Sequence, residues 1–159
     1  MNSVPIPYRK QETDFYCGPA IVQMILAAHG IDLSQNAIAD ALGTTEAAGT
    51  MVDAIQRYFA THGFAVTCTN EAQLSDIDLM ASAGKYVVVG YVEPSEDVPH
   101  YGIVKTMTSQ DITIIDPWNG ADHLMPREIF EERWRDDSAE AYGNRMMMAV
   151  SMPSSSPTL

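Results

Sequence analysis

The sequence has few cations and no long apolar run. Nine Lys and Arg stand against 21 Asp and Glu, which gives a formal net charge of −12 at pH 7. Nucleic-acid binding depends on cationic contacts with phosphates, so this balance argues against a nucleic-acid partner. No window approaches the length of a membrane span, so we expect no association with a membrane. The simplest reason for an acidic surface of this kind is that it keeps the protein soluble.

Cysteine is also scarce. The chain has two, Cys17 and Cys68, which are too few for a disulfide-stapled scaffold. A Cys17–Cys68 bridge is possible by number, but two reduced thiols in a reducing compartment are better supported. Residues 1–14 have no apolar core and no signal-peptide layout, so we expect a cytoplasmic protein.

What is present fits one folded domain. The chain has 159 residues, of which 46% are hydrophobic, and this is enough for a single domain with its own core. We place that domain at residues 1–152. Residues 153–159 have the sequence PSSSPTL, a low-complexity composition that predicts a disordered tail.

Helical patterns occupy the first half of the chain. Apolar residues at helix-face spacing follow Cys17, Pro19 suits a first helical turn, and Gly30 suits a helix end. Ser34 is a candidate N-cap for a second helix that ends at Gly43. We predict helices over residues 17–29, 34–43, 50–63 and 74–83, with Thr50 capping the third and Asn70 and Glu71 opening the fourth.

The second half changes to β-branched runs. The longest is YVVVGYV at residues 86–92, and residues 64–69 form a shorter candidate strand around Cys68. Further strands are predicted over residues 101–107, 112–115 and 146–152, with a turn at 109–111 and a short helix at 127–134. Helices first and antiparallel strands afterwards indicate an α+β fold, with N-terminal helices packed on a C-terminal antiparallel sheet. Such a layout offers a cleft between the helices and the sheet.

Cys17 is the candidate nucleophile. It lies at the predicted start of the first helix, where backbone N–H groups and the positive end of the helix dipole stabilise a thiolate. The alternative is a small buried apolar residue, and position alone gives the two interpretations equal weight. Cys68 has no flanking features and is interpreted as structural.

His100 and Asp116 are the candidate base and the candidate acid that orients it. His100 begins an apolar strand, whereas His29 and His62 are explained as helix C-termini and His123 has no distinguishing context. Asp116 ends the next strand, so a hairpin would return it to the second imidazole nitrogen of His100. When each residue is considered alone, the alternative interpretation of His100 is an ordinary edge-strand histidine, and that of Asp116 is an Asp-Pro turn residue.

Gln11 precedes Cys17 by six residues. Its amide can donate to an oxyanion beside the Cys17 backbone N–H, although composition alone favours a solvated loop residue. The chain has no Walker loop, GxGxxG, HExxH or CxxC motif, and its two cysteines and four histidines lack metal-ligand spacing. We therefore expect no metal and no organic cofactor.

These residues stand in three short blocks that resemble the C39-like peptidases of the papain-like cysteine peptidase clan. The blocks are Gln11…Asp14…Cys17-Gly18-Pro19-Ala20, His100-Tyr101-Gly102-Ile103-Val104 and Ile115-Asp116-Pro117. The resemblance spans about residues 4–150. It implies a papain-like fold in which Cys17 opens the central helix, His100 starts a strand and Asp116 ends the next. It also implies that Gln11 helps form the oxyanion hole.

The resemblance implies a thiol hydrolase that acts on a peptide or isopeptide amide of a peptide or protein substrate. Its best-known relatives are domains of peptide exporters that cut leader peptides after a double glycine, and related clans with the same triad deamidate glutamine or transfer acyl groups. Deamidation or acyl transfer is therefore the enzymatic alternative. A peptide-binding module without turnover is the other, and the complete set of four residues counts against it. The oligomeric state is left open.

Overall fold

A computed structural model describes residues 5–135 and 144–151 of the chain. The helices in these residues are α1 (Cys17–Ala28), α2 (Gln35–Leu42), α3 (Val52–Thr61), α4 (Leu74–Ser82) and α5 (Arg127–Arg133). The strands are β1 (Ala65–Thr69), β2 (Tyr86–Glu93), β3 (Val98–Met107), β4 (Asp111–Asp116), β5 (Gly120–Pro126) and β6 (Met147–Ser151).

The strands form one antiparallel sheet in the order β1-β6-β2-β3-β4-β5. The turn predicted at residues 109–111 joins β3 to β4, which pair from Ile103↔Ile115 to Met107↔Ile112. The last strand of the described residues, β6, lies between β1 and β2. The predicted α+β class, with helices packed on an antiparallel sheet, is confirmed.

α1 is the helix against which α2 and α3 pack. Ile21, Met24 and Ile25 are fully buried, and their spacing places them on one face toward α2, α3 and β3. Pro19 lies in the first turn, where a missing N–H costs nothing, and Gly30 adopts a φ of +78° just after the helix ends. Burial of each large apolar side chain contributes about 1.5–3 kcal/mol, which holds α1 on the sheet.

β2 is buried on both faces. Tyr86 and Val88 belong to the core cluster around α1, whereas Val87, Val89 and Tyr91 belong to a second cluster against α4 and α5. A strand with a core on each side needs apolar residues at successive positions, which explains the continuous run in the sequence.

The start of α3 differs from the prediction. Met51 is its N-cap and makes no side-chain cap bond. The hydroxyl of Thr50 is bonded instead to Thr44 Oγ1 at 2.8 Å, and the Thr50 carbonyl accepts the Tyr101 hydroxyl at 2.7 Å. Thr50 is therefore used in tertiary hydrogen bonds, although the local sequence predicts it as the N-cap of α3.

The start of α4 also differs. The expected opening at Asn70 and Glu71 is wrong, because α4 is capped by Gln73, which forms a capping box with Asp76. The strand β5 is an addition to the predicted elements, since the sequence pattern predicts no strand over residues 120–126.

No helix within residues 5–135 and 144–151 is long and apolar enough to cross a membrane. The tail predicted at residues 153–159 lies outside the described residues, and the extent of the domain stays a prediction.

Candidate active site

Cys17 is the first residue of α1 and is buried, with 7% of its surface exposed. Tyr16, the N-cap residue, makes no side-chain cap bond, and the positive end of the helix dipole adjoins the thiol. Gly18 lies so close to Thr50 that an added Cβ would collide with the Thr50 side chain. The glycine after the cysteine therefore lets the start of α1 lie directly against the segment before α3.

His100 and Asp116 are brought together by the pairing of β3 with β4. His100 is the third residue of β3, Asp116 is the last residue of β4, and both are buried. His100 Nδ1 lies 3.5 Å from Asp116 Oδ2, close enough for an ion pair, although the two atoms form no hydrogen bond in this geometry. The structure thus places the predicted acid beside the predicted base, as the hairpin expectation required.

The carboxylate of Asp116 is held by several donors. Its Oδ1 accepts the backbone N–H groups of Trp118 at 2.8 Å and Asn119 at 2.9 Å, and its Oδ2 accepts the hydroxyl of Tyr91. Burial alone would raise the pKa of Asp116, but His100 and these hydrogen bonds outweigh it and hold the pKa well below its ordinary value. Asp116 is therefore ionised and fixed in orientation at neutral pH.

Tyr91 contacts both members of this pair. Burial raises the pKa of Tyr91 well above its ordinary value, and the charges of Asp116, Glu93 and Cys17 raise it further. Its hydroxyl therefore stays protonated and can only donate to the carboxylate. Cys17 lies in the same core cluster as Tyr101, the residue after His100.

Gln11 lies next to the Asp116 segment, and it belongs to a stretch without regular secondary structure. Its backbone N–H donates to Pro117 O at 2.9 Å, and nearby the Tyr8 hydroxyl donates to Asp116 O at 2.7 Å. The buried side chain donates from Nε2 to Thr13 O at 2.7 Å, and its Oε1 has no hydrogen-bond partner among the described residues. The amide, with two N–H groups on Nε2, thus retains hydrogen-bonding capacity.

A cleft of about 260 Å³ adjoins these groups. It is lined by Gln11, Asp14, Glu93, Glu96, Val98, Pro99, His100 and Trp118. Two of the four predicted site residues, Gln11 and His100, therefore face one cavity. Asp116 is paired with His100, and Cys17 is not among the lining residues. Among the described residues, no group of three or more His, Cys, Asp or Glu side chains is arranged to hold a metal ion.

Sequence reasoning did not identify Tyr91 or the environment of His123. Tyr91 stands in an apolar run whose pattern indicates only burial. His123 lies on β5, with Nε2 3.5 Å from Glu93 Oε1. A buried Glu at the end of β2 was the signal available for this second pair, since an acid in a buried strand requires a partner.

A model of the Peptidase C39 family matches residues 5–139, and no curated protein matches the chain. Similar solved structures include the peptidase domain of Streptococcus ComA, a bifunctional ABC transporter involved in a quorum sensing pathway. It is 19% identical with a TM-score of 0.72, over 92% of this chain and 99% of that one.

Two further solved structures are similar. A double glycine motif protease from an AMS/PCAT transporter, in complex with the leader peptide, is 15% identical with a TM-score of 0.71, over 99% of this chain and 95% of that one. A C39-like peptidase from Bacillus anthracis is 14% identical with a TM-score of 0.68, over 94% and 96%. Likeness at these identities shows a shared fold.

Proposed function

The chain belongs to the Peptidase C39 family, and from this premise we propose that it cleaves a peptide amide with Cys17 as nucleophile, His100 as base and Asp116 as the acid that orients the base. The observation that carries the proposal is the His100–Asp116 pair at 3.5 Å, beside Gln11 in one cleft. A buried imidazole held by an ionised carboxylate is the arrangement that a thiol nucleophile requires.

The orientation of the His100 imidazole determines which of its nitrogens activates the thiol. Nδ1 of His100 faces Asp116, so Nε2 is the nitrogen that takes the proton from Cys17 Sγ. The ionised carboxylate of Asp116 stabilises the resulting imidazolium, and the helix N-terminus stabilises the thiolate. Tyr91 and the two backbone donors keep the carboxylate in that orientation.

The thiolate attacks the substrate carbonyl and forms a tetrahedral intermediate. Its oxyanion accepts hydrogen bonds from the Cys17 backbone N–H and from the second N–H of Gln11 Nε2. As the intermediate collapses, the C–N bond breaks and His100 gives its proton to the leaving amine. Water then loses a proton to His100, attacks the thioester and releases the acid, which restores the thiol.

For the substrate we propose a peptide with a double glycine before the scissile bond. The support is the likeness to the double glycine motif protease, which extends over 99% of this chain. Glycines are the residues that a narrow cleft admits with the backbone close to the nucleophile, because they carry no Cβ.

The test is a peptide library that contains double-glycine peptides and matched peptides with Ala-Ala at those positions, followed by mass spectrometry. We expect two fragments from the double-glycine peptides, no turnover by Cys17→Ala and unchanged turnover by Cys68→Ala. Conversion of a side-chain amide to an acid without backbone cleavage would instead establish deamidation, and capture without any product would establish a binding module. Cleavage by Cys17→Ala at the wild-type rate would overturn the mechanism.

A further inference from the structure

The segment that carries Gln11 has no helix or strand to position it, although an oxyanion donor must be placed accurately. A misplacement of about 1 Å in an active site can cost about 10²-fold in rate. On one side, the Gln11 N–H is held by Pro117 O at 2.9 Å, next to Asp116.

The other side of the segment is held by a single side-chain amide, that of Gln35. Its Nε2 donates to Lys10 O at 2.9 Å, and its Oε1 accepts from Glu12 N at 2.9 Å. In an extended chain the carbonyl before a residue and the N–H after it point to the same side, opposite to that residue's own N–H. The Gln35 amide therefore bonds the backbone groups on either side of Gln11, in the way that a neighbouring strand would.

Gln35 is itself held in place. It is the first residue of α2 and only 1% exposed. Its Nε2 also donates to Gln23 Oε1 at 2.9 Å, and Gln23 Nε2 donates to Leu33 O at 3.0 Å. Both N–H groups and the oxygen of the Gln35 amide are thus used, so its orientation is determined by three hydrogen bonds.

We propose that Gln35 is the positioning residue for the Gln11 oxyanion donor, and that Gln23 orients Gln35. A buried amide is costly unless every polar atom is bonded, and here two of its three bonds are made to the residues on either side of Gln11. The network links α1, through Gln23, to the segment that carries Gln11. The inference rests on the proposed role of Gln11 in catalysis.

The first test is Gln35→Met, which keeps the volume and removes all three bonds. We expect kcat to fall by about 10- to 10²-fold, less than on loss of the donor itself, with KM little changed. The rate of Cys17 alkylation by iodoacetamide should stay at the wild-type value, since alkylation forms no oxyanion. Loss of alkylation in parallel with kcat, or unchanged kcat, would overturn the inference.

Ser34→Ala is the matched control for a purely structural effect. It removes the N-cap bond from Ser34 Oγ to Ala37 N at 3.1 Å and so weakens the same helix without touching the Gln11 segment. We expect a lower Tm with unchanged kcat. A fall in kcat equal to that of Gln35→Met would mean that any loosening of α2 suffices, and would overturn the inference.

A double-mutant cycle separates this inference from the proposed function. If Gln35 acts through Gln11, Gln35→Met should have almost no effect on kcat in a Gln11→Ala background. Full additivity would overturn the positioning role. Should Gln11→Ala alone leave kcat unchanged, the proposed oxyanion role fails first, and the inference fails with it.

Gln23→Met extends the series and replaces Gln35→Met if that variant does not fold. It leaves both bonds between Gln35 and the segment but removes the bond that orients the Gln35 amide. We expect a several-fold fall in kcat, in the same direction and with unchanged alkylation. A wild-type kcat for Gln23→Met would overturn its role.

Discussion

Two histidine–carboxylate pairs lie in the same sheet with the same separation. His100 and Asp116 join β3 to β4, and His123 and Glu93 join β5 to β2, each with an N···O distance of 3.5 Å. In both pairs the acid is buried, with 0% of the Asp116 side chain and 2% of the Glu93 side chain exposed. Geometry between the two partners therefore does not distinguish a catalytic pair from a structural one.

The surroundings of the two pairs differ. Asp116 is held by Tyr91 and the backbone behind His100, and His100 lines the cleft with Gln11. Glu93 also lines this cleft, but it uses its Oε2 to close the turn after β2, accepting from Ser95 and Glu96. The Asp116 carboxylate thus orients a base that faces a cavity, whereas the Glu93 carboxylate stabilises the turn that follows β2.

The largest contrast is expected between the two histidines. His100→Ala should lower kcat by at least about 10³-fold, because the thiol loses its base and the leaving amine its acid. His123→Ala should keep kcat within about threefold of wild type, since this ring lies on β5 and pairs with Glu93 rather than with Asp116. Steady-state kinetics on a cleaved peptide provide the measurement. Equal losses in the two variants would remove the distinction between the pairs.

Substitution of Asp116 should mainly lower the rate, whereas substitution of Glu93 should mainly lower stability. Asp116→Ala should lower kcat by about 10²-fold or more with the substrate still bound, because the imidazole loses its orientation. Glu93→Ala should act mainly on stability, by about 1–3 kcal/mol, since it leaves the donors of the 95–96 turn without an acceptor. Kinetics and urea unfolding of both variants distinguish these effects. A larger kcat loss for Glu93→Ala would reverse the assignment.

Much of the fold could be predicted because local patterns and tertiary structure agree. The spacing of Ile21, Met24 and Ile25 predicts α1, and the β-branched run predicts β2. The sequence does not predict β5 because Met125 is its only buried residue. It is an edge strand, and its pairing with β4 rather than its own apolar pattern defines it.

The candidate site was predictable where chain order brings residues together. A hairpin returns Asp116 to His100, so spacing was sufficient. Tyr91 contacts Asp116 across 25 residues and Gln35 contacts Lys10 across 25 residues, and neither has a local signal. The family and the peptidase class are confirmed, whereas the roles of the site residues, the cytoplasmic location and the lack of a nucleic-acid partner stay predictions.

The smallest contrast is in acid stability. Both Asp116 and Glu93 have pKa values below the ordinary carboxyl range despite burial, Asp116 more strongly through His100 and Glu93 through Ser95. A lowered pKa contributes stability that is present above about pH 4 and is lost as the pH falls through the folded-state value. Unfolding between about pH 2 and pH 6 should therefore show a shallower acid decline for Asp116→Asn than for Glu93→Gln. The opposite order would contradict the stronger shift at Asp116.

The central claim is that His100 activates Cys17, and alkylation by iodoacetamide with peptide mapping tests it most directly. In the wild type, Cys17 should react much faster than Cys68, whose thiol has a pKa raised by burial. His100→Ala should slow the alkylation of Cys17 toward the rate of Cys68, and His123→Ala should leave it unchanged. Equal rates for the two cysteines in the native protein, or a Cys17 rate unaffected by His100→Ala, would contradict the account.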